Sequence, residues 1–314
     1  MKKNILLAGA GPMAVEYARV LSQLSCDVIV VGRGSASADR FRKVTGIHVN
    51  AGGITEYLNN NPLPDAAIVA TGMETLCRVT KELLEKGCKK ILVEKPAGIN
   101  SSEIEQVSHI ASAGQADVFV AYNRRFYASV QKAKEIISDD GEVKSFTFEF
   151  TERSHQIEKM EKPSGIKENW FLGNSTHVID LAFFLGGIPS EINCYTTGEL
   201  AWHRPAQFTG SGKTQSGALF SYHADWAAPG RWGVEICTAK HRLILRPLET
   251  LQVQIAGSDK TELATLEDEN DKKFKPGLLK QTMSFLNGDY EKLCTIAYQE
   301  KMVKIYDRMR GVVS

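Results

Sequence analysis

The stretch Ile5-Leu6-Leu7-Ala8-Gly9-Ala10-Gly11-Pro12-Met13-Ala14 decides the fold of the N-terminal part of the chain. Its apolar run, Ile5–Ala8, has the length of a buried strand and stops at a glycine. Pro12 suits the first position of a helix, where its missing N–H costs no hydrogen bond. The pattern is G-x-G-x-x-A, which brings backbone N–H groups and a helix N-terminus close to a pyrophosphate. The sequence therefore predicts a dinucleotide-binding turn between a strand and a helix.

The next strand, Val28–Val31, carries information about the cofactor because Gly32-Arg33-Gly34-Ser35 follows it. NAD-binding domains place an acidic residue near this point to accept a hydrogen bond from a ribose 2′-OH. No carboxylate stands here, whereas Arg33 offers a fork of donors that suits a 2′-phosphate, with Ser35 as a further donor. The pattern therefore favours NADP(H) over NAD(H).

Strands and helices alternate over about the first 120 residues, which indicates a parallel, doubly wound sheet of the Rossmann type. Lys95 lies at the end of one predicted strand, Ile91–Pro96, which Pro96 must terminate because it lacks an N–H. The carboxyl ends of such strands border the crevice where ligands bind, so Lys95 is a candidate site residue. The other segments predicted here are the strand Asp65–Thr71, the helix Glu74–Lys86 and the strand Asp117–Ala121.

The second part of the chain changes to a period of two. In Val143–Phe150, three phenylalanines alternate with polar residues, so one face of a strand is apolar. Further strands are predicted at Ile192–Thr196, Ala218–Tyr222, Gly233–Thr238, His241–Leu245 and Leu251–Ile255. Because no helices separate most of them, they predict a mainly antiparallel sheet, covered by helices or by another subunit.

The end of the chain predicts a solvated loop at Glu267–Lys275 and two helices, Leu278–Leu286 and Tyr290–Arg308. The predicted domains are therefore 1–122, a dinucleotide-binding domain, and 123–314, an α+β domain for substrate binding and oligomerisation. The second domain includes the two final helices.

Composition excludes several classes of function. The 314 residues are 43% hydrophobic and 24% charged, as in ordinary soluble globular proteins. A net charge of +1 provides no general attraction to nucleic acid or to anionic membranes. Six cysteines without any CxxC pair argue against a zinc site, and no metal is expected. No apolar run approaches the roughly 18 residues of a membrane span, so we expect a cytoplasmic protein without a membrane partner.

One helix in the second part carries a histidine and an acid. Thr176 is placed to cap a helix over His177–Leu185, which Gly186-Gly187 would end. His177 and Asp180 are three residues apart, so they share one side of that helix. On these residues alone, a surface pair is the favoured interpretation.

Several segments coincide in this chain: the G-x-G-x-x-A turn, Glu94-Lys95-Pro96 and His177-x-x-Asp180. Together they resemble the Gfo/Idh/MocA oxidoreductases, the family of glucose–fructose oxidoreductase and inositol dehydrogenase. Asn123-Arg124-Arg125-Phe126 is similar to that family's Asn-x-Arg-Phe segment. Trp226–Trp232 falls where the family has a strand that crosses its substrate domain.

The resemblance implies a nicotinamide-dependent interconversion of a hydroxyl and a ketone on a sugar, sugar nucleotide, inositol or similar polyol. It implies that Lys95 hydrogen-bonds the reacting oxygen, that His177 is the general acid/base, and that Asp180 touches His177 or a substrate hydroxyl. The expected cofactor contacts are Gly9, Gly11, Pro12, Met13, Arg33, Ser35, Thr71, Gly72, Glu94, Lys95 and Asn123. The expected substrate contacts are Arg125, Arg153, Trp170 and Asn174.

The chain departs from the family at Gly173, because family members commonly have an aspartate four residues before the histidine. Asn174 or Asp180 could take the place of that aspartate. Alternatively another group donates the proton, or the reaction needs only Lys95. The other donors that position allows are Tyr122, His155 and Tyr127.

Two other functions stay open at this point. One is a dinucleotide-binding sensor that keeps the fold but has no turnover, and the other is a reductase similar to biliverdin reductase. The family's sheets often pack face to face, so a homo-oligomer, either a dimer or a tetramer, is expected. The aromatic face of Val143–Phe150 is one candidate contact, and burial under the chain's own helices is the alternative.

Overall fold

The computed structural model describes residues 3–312. Met1, Lys2, Val313 and Ser314, which fall in the two predicted domain ranges, lie outside the described residues. The strands are β1 Asn4–Ala8, β2 Asp27–Val31, β3 Val49–Asn50, β4 Ala66–Val69, β5 Lys90–Val93, β6 Asp117–Val120, β7 Ser145–Glu149, β8 Pro189–Thr197, β9 Gln207–Thr214, β10 Leu219–Asp225, β11 Gly233–Cys237, β12 His241–Leu245, β13 Gln252–Ile255, β14 Thr261–Leu263 and β15 Cys294–Thr295.

The helices follow the same chain order. They are α1 Pro12–Gln23, α2 Ser35–Thr45, α3 Ile54–Asn60, α4 Leu76–Glu85, α5 Ser101–Ala113, α6 Ala128–Asp140, α7 Ser154–Ile157, α8 Thr176–Gly186, α9 Glu269–Lys273, α10 Leu278–Asn287 and α11 Ile296–Met309. Met73–Thr75 and Asn123–Phe126 form short 3-10 turns, and Phe171–Ser175 forms a π-helical turn. Within residues 3–312, no helix is long and apolar enough to cross a membrane.

The chain divides into two compact units. Unit 1 contains residues 1–122 and 273–303, and unit 2 contains residues 123–272 and 304–314. The prediction that all of 123–314 forms the second domain is therefore corrected, because α10 and the first turns of α11 belong to unit 1. The physical reason is a strand: β15 pairs antiparallel with β6, at an edge of the first sheet.

Unit 1 is built on a sheet with the strand order β15-β6-β5-β4-β1-β2-β3. The pairs among β1 to β6 are all parallel. Strands that are buried on both faces have nearly continuous apolar sequences. Ile5–Ala8 is such a sequence, and each of its residues is 0% exposed. The order reverses between β1 and β4, which is the point where open α/β sheets bind ligands.

Sequence reasoning missed two helices of unit 1, α2 and α3. The first is largely exposed, with only Phe41 buried, so its apolar periodicity is weak.

The helix predicted at Glu74–Lys86 is α4, and the chain leaves it at Gly87, the glycine that the sequence predicted to stop it. Gly87 has φ 96°, and its N–H donates to the Leu84 carbonyl over 2.9 Å.

Unit 2 is built on a sheet with the order β14-β13-β12-β11-β7-β10-β9-β8. Its pairs are antiparallel except for β7 with β10. This arrangement and the parallel sheet of unit 1 confirm the predicted fold class, a Rossmann-type domain plus an α+β domain with a mainly antiparallel sheet.

The aromatic face of β7 is part of the core of unit 2. Phe146, Phe148 and Phe150 are at most 4% exposed. Phe183 of α8 lies edge-on to Phe148, with 5.4 Å between the ring centroids. Because α8 covers it, this face is not available as the contact between subunits that the sequence analysis considered.

Several segments of unit 2 differ from the sequence prediction, among them the predicted loop Glu267–Lys275, which contains α9. The strand β9 was missed because Gly210 and Gly212 interrupt its pattern. A Cβ at Gly210 would lie 2.5 Å from the Tyr222 hydroxyl, so the neighbouring ring takes the space of a side chain. The stretch Trp226–Trp232, predicted to cross the domain as a strand, instead connects β10 to β11.

Candidate active site

A cavity of about 510 Å³ opens at the carboxyl ends of β1, β2 and β4 in unit 1. Sequence reasoning placed seven of its lining residues among the cofactor contacts. They are Gly9, Gly11, Pro12, Met13, Arg33, Thr71 and Gly72. Because a crevice at this position of a doubly wound sheet is where dinucleotides bind, the cavity is the candidate cofactor site.

The two glycines of the turn fit a dinucleotide for different reasons. Gly9 has φ +119°, and a Cβ there would lie 2.4 Å from the Ala70 carbonyl oxygen. Gly9 therefore serves the packing of the turn against β4 and the loop after it. An added Cβ at Gly11 would meet nothing within 4 Å, so there the missing side chain leaves room for a ligand beside the N-terminus of α1.

The cavity ends at the loop that follows β2. Gly32, Arg33 and Gly34 line it, but the hydroxyl in the lining belongs to Ser37 rather than to the predicted Ser35. Ser35 is the first residue of α2, and the Ser37 hydroxyl donates to the Gly34 carbonyl over 2.9 Å. Ser37, rather than the predicted Ser35, is therefore the serine that lines the cavity.

Lys95 lies in a turn rather than at the end of the strand, because β5 stops at Val93. The Lys95–Pro96 peptide is cis, and the Ala97 N–H donates to the Glu94 carbonyl over 3.0 Å. Gln299 of α11 donates from Nε2 to the Pro96 carbonyl over 3.2 Å. Two hydrogen bonds within unit 1 therefore hold the turn that carries Lys95. One joins Ala97 to Glu94, and the other joins Gln299 to Pro96.

Glu94 turns away from the cavity and bonds to α1. Its carboxylate accepts a hydrogen bond of 3.0 Å from the Tyr17 hydroxyl. Burial raises the pKa of Glu94, although the charges of Lys95 and Lys275 and the Tyr17 bond oppose the rise. Glu94 and Lys95 are not among the residues that line the cavity, so their predicted cofactor contacts are not part of it.

In unit 2, the helix that carries His177 begins differently from the prediction. Thr176 does not cap α8 with its side chain. Its hydroxyl donates instead to the Leu172 carbonyl, over 2.7 Å. The π-helical turn Phe171–Ser175 runs directly into α8, so Gly173 and Asn174 lie in that turn. Such turns occur often at functional sites, because they present side chains that a regular helix would direct elsewhere.

Glu152 is bonded to this π-helical turn and was missed by sequence reasoning. Its carboxylate accepts from the Ser175 hydroxyl over 2.7 Å and from Asn174 Nδ2 over 3.0 Å. Glu152 is only 4% exposed, and burial raises its pKa against the effect of both hydrogen bonds. No short sequence motif contains Glu152, since it lies 21 residues before Gly173, so only the fold reveals it.

Asp180 is bound to Arg125, not to His177. Arg125 Nε lies 2.8 Å and Nη2 2.5 Å from the two carboxylate oxygens, and both side chains are almost fully buried. Burial raises the pKa of Asp180, and the Arg125 guanidinium opposes that rise. The predictions of Asp180 as a partner of His177 and of Arg125 as a substrate contact are therefore corrected: the two form a buried ion pair.

His177 has an aromatic and cationic neighbourhood within unit 2. Its ring centroid lies 6.1 Å from that of Trp232. The guanidinium carbons of Arg124 and Arg231 lie 4.8 and 4.5 Å from the Trp232 ring centroid. His177 itself is 7% exposed. The structure thus joins a histidine, an indole and two arginines into one cluster.

The remaining predicted residues are distributed over unit 2. Arg153 and His155 are exposed at the short helix α7, and Trp170 packs against Trp202, with 6.0 Å between their ring centroids. Asn123 is buried in the 3-10 turn of unit 2 and does not line the cofactor cavity. Among residues 3–312, no group of three or more His, Cys, Asp or Glu side chains is placed to hold a metal ion.

The comparison with protein families decides the identity of unit 1. Residues 3–122 match the family model described as "Oxidoreductase family, NAD-binding Rossmann fold", GFO_IDH_MocA. Residues 3–122 are therefore similar to the NAD-binding domain of the Gfo/Idh/MocA oxidoreductases. The resemblance that the sequence predicted is thereby confirmed. A comparison with curated proteins finds no match.

Solved structures share the fold of this chain over nearly its whole length. Levoglucosan dehydrogenase in complex with NADH has a TM-score of 0.82 at 16% identity, covering 98% of this chain and 96% of that one. UDP-N-acetylglucosamine 3-dehydrogenase from Acidithiobacillus ferrooxidans has 0.79 at 14%, covering 100% and 98%. An NAD binding oxidoreductase from Klebsiella pneumoniae has 0.80 at 16%, covering 99% and 96%. At these identities, the likeness concerns the fold.

Two features of this chain differ from the pattern that the resemblance to the Gfo/Idh/MocA oxidoreductases implies. Gly173 replaces the usual aspartate, and Glu152 supplies a buried carboxylate to the next two residues, Asn174 and Ser175. The loop after β2 offers Arg33 to the cofactor cavity at the place where a carboxylate would select NAD.

Proposed function

We propose that the chain is an NADP(H)-preferring oxidoreductase that interconverts a hydroxyl and a ketone on a sugar, sugar nucleotide or polyol. The observation that carries the proposal is the cavity at the carboxyl ends of β1, β2 and β4, with Gly11 open to a ligand. Two of the similar structures are named as dehydrogenases of a sugar and of a sugar nucleotide, which supports this substrate class.

Residues of this chain move the proton in the proposed reaction. When bound, the nicotinamide supplies hydride exchange with the substrate carbon. Lys95 Nζ donates a hydrogen bond to the reacting oxygen and stabilises the negative charge that develops on it. The His177 imidazole accepts the hydroxyl proton during oxidation and returns it during reduction.

Glu152 takes the place of the carboxylate that Gly173 lacks. It holds the π-helical turn through Ser175 and Asn174, and this turn leads directly into the helix of His177. We assign it as a positioning residue, since it acts on the histidine through the backbone between Ser175 and His177. A buried carboxylate with defined hydrogen bonds can keep such a turn in one conformation.

Arg33 supports the preference for NADP(H). It lines the cavity beside Gly32 and Gly34, and no carboxylate follows β2 there. A guanidinium binds a 2′-phosphate through two parallel hydrogen bonds, which a 2′-hydroxyl cannot reproduce.

The test is a fluorescence titration with NADPH and NADH, followed by turnover assays with sugars, sugar nucleotides and polyols. We expect tighter binding of NADPH, and Arg33→Ala should lower NADPH affinity at least about 10-fold while NADH affinity changes little. Lys95→Ala should retain cofactor binding and lower kcat by roughly 10²- to 10⁴-fold. If the cofactor binds but no substrate changes its redox state, the chain is a sensor instead. A clear preference for NADH contradicts the assignment of Arg33.

We further propose a cytoplasmic homo-oligomer, a dimer or tetramer. Multi-angle light scattering on the purified chain measures its mass directly. A monomer at micromolar concentration is the result that contradicts the assembly.

A further inference from the structure

The indole of Trp232 packs against two guanidiniums in unit 2. Arg124 Cζ lies 4.8 Å and Arg231 Cζ 4.5 Å from its ring centroid, a distance typical of cation–π contacts. The indole is 4% exposed, and within residues 3–312 its buried N–H has no hydrogen-bond acceptor. We call these three residues the Arg–Trp–Arg cluster.

The charges of the Arg–Trp–Arg cluster are not neutralised as those of other arginines are. Arg125 and Arg246, in the same unit, each form an ion pair, of 2.5 and 2.7 Å. Neither Arg124 nor Arg231 forms one within residues 3–312, where the only hydrogen bond of the Arg231 backbone N–H goes to Glu149. Two guanidiniums without a paired carboxylate leave positive charge beside one indole, and an anionic ligand would neutralise that charge.

The nearest acids compensate this charge only in part. Burial lowers the pKa of Arg124, and Arg231 lowers it further, whereas Glu249 and Glu152 act in the opposite direction. Glu152 already accepts hydrogen bonds from Ser175 and Asn174, and burial disfavours its ionised form. Burying a guanidinium in part without a paired carboxylate costs free energy, because the charge loses hydration. An anionic ligand would offset that cost, so the cluster favours binding of an anion.

The position of the cluster connects it to the proposed reaction. The His177 ring centroid lies 6.1 Å from the Trp232 ring centroid, so a group bound by the guanidiniums lies beside the proposed acid/base. The ligand is therefore part of the molecule on which His177 acts.

We infer that the Arg–Trp–Arg cluster binds an anionic substituent of the substrate, a carboxylate or a phosphate, so that the substrate is a negatively charged sugar derivative. This inference rests on the proposed function, because it places the anion on the molecule that His177 deprotonates. The planar fork of each arginine matches the oxygens of either group.

The test compares three sugars that differ only at carbon 6: D-glucose, D-glucuronate and D-glucose 6-phosphate. Calorimetric titration of the cofactor-loaded protein measures their binding without requiring turnover. We expect at least one anionic sugar to bind about 10-fold or more tightly than glucose, with an affinity that falls as salt is added. The tighter of the two anions distinguishes a carboxylate from a phosphate.

Arg231→Gln tests the residue assignment, since Arg231 is exposed and its loss leaves the fold intact. We expect it to reduce the affinity for the anionic sugar about 10-fold, and to reduce it more than the affinity for glucose. Arg242→Gln is the matched control, because it removes an exposed arginine of the same unit that pairs with Glu235 instead. Equal binding of all three sugars, no binding of any, or an unchanged Arg231→Gln variant overturns the inference.

The outcomes separate this inference from the proposed function. Turnover of a neutral polyol with NADPH, without any preference for anions, retains the oxidoreductase and removes the anion site. Anion binding that depends on Arg231 in a protein without turnover retains the site and removes the oxidoreductase.

Discussion

Glu152 combines a buried charge with a position next to the turn that leads to His177. Replacing it by glutamine removes the charge but keeps an oxygen that can accept from Ser175 and Asn174. Burial raises the pKa of Glu152, so its carboxylate forms only above that raised value. We expect Glu152→Gln to lower kcat roughly 10-fold and to flatten the acidic limb of the pH profile of kcat.

The stability of the Glu152→Gln variant checks that this loss is not unfolding. A carboxyl whose pKa is raised in the folded state adds stability as the pH falls through that pKa and removes it as the pH rises. At neutral pH the variant should therefore lose no more than about 1 kcal/mol of unfolding free energy. Glu158→Gln, an exposed change in the same segment, is the control. An acidic limb that persists in Glu152→Gln contradicts the assignment.

The two glycines of the cofactor turn predict opposite phenotypes. Gly9→Ala places a methyl group 2.4 Å from the Ala70 carbonyl at φ +119°, so it should cost on the order of 2 kcal/mol of unfolding free energy. Gly11→Ala meets no protein atom within 4 Å and should change stability by less than about 0.5 kcal/mol. It should nevertheless weaken NADPH binding at least about 10-fold, because the methyl group occupies space for the pyrophosphate.

Urea unfolding and cofactor titration of both glycine variants measure the difference. Each variant is the control for the other, since both insert one methyl group into the same turn. Normal cofactor affinity in a well-folded Gly11→Ala variant counts against a dinucleotide in this cavity.

At the scale of elements, the end of α6 is joined to the hairpin of β11 and β12 through Asp140. Its carboxylate accepts from the Thr238 hydroxyl over 2.6 Å and from His241 Nδ1 over 2.8 Å. Burial acts to raise the pKa of Asp140, but these two hydrogen bonds outweigh it, so the pKa lies below the ordinary value of 3.8. Asp140 thus stabilises this junction in its charged form.

Asp140→Asn should lower the unfolding free energy at pH 7 by about 1 kcal/mol, allowing for solvent screening. Because the folded-state pKa is depressed, the contribution of the carboxylate is full above the ordinary pKa of 3.8 and disappears as the pH falls through the folded-state value. The difference between wild type and variant should therefore shrink below about pH 4. Denaturant unfolding at several pH values measures it, with Asp139→Asn as the neighbouring control. A difference that does not depend on pH contradicts a role for the charge.

At the scale of the whole molecule, unit 1 is completed by residues distant in sequence. Phe119 of β6 packs against Phe285 and Tyr290, with ring centroids 6.1 and 4.5 Å away. Phe285 is completely buried. A fragment of residues 1–122 lacks these partners, so we expect it to aggregate or to unfold at a markedly lower temperature than the full chain.

A second fragment is the control for this prediction. Joining 1–122 to 273–303 through a flexible glycine–serine linker restores β15 and the aromatic contacts of Phe119. We expect this fragment to be monomeric, to unfold cooperatively and to bind NADPH, as circular dichroism and fluorescence titration can show. Equal stability of the two fragments contradicts the composition of unit 1.

The first domain could be read from the sequence because its signals are local. The apolar run Ile5–Ala8, the glycines that follow it and the alternation of strands and helices each depend on neighbouring residues. The same holds for the aromatic strand β7, whose period of two needs no partner to be recognised. The strand β9 was not predicted from the sequence because its glycines make room for aromatic rings of β10. The need for glycine there comes from the neighbouring strand and not from the local sequence.

The sequence by itself determined the dinucleotide turn, the fold class and the family, since each depends on short patterns of apolar residues and glycines. The tertiary structure alone decided which charges meet. It joined Arg125 to Asp180, Glu152 to Asn174, and Arg124 and Arg231 to Trp232. Except for Arg231 and Trp232, which are neighbours in the sequence, the partners lie 22 or more residues apart. Burial decides whether such a charge is paired or left for a ligand. A local sequence pattern does not show whether such a charge is paired.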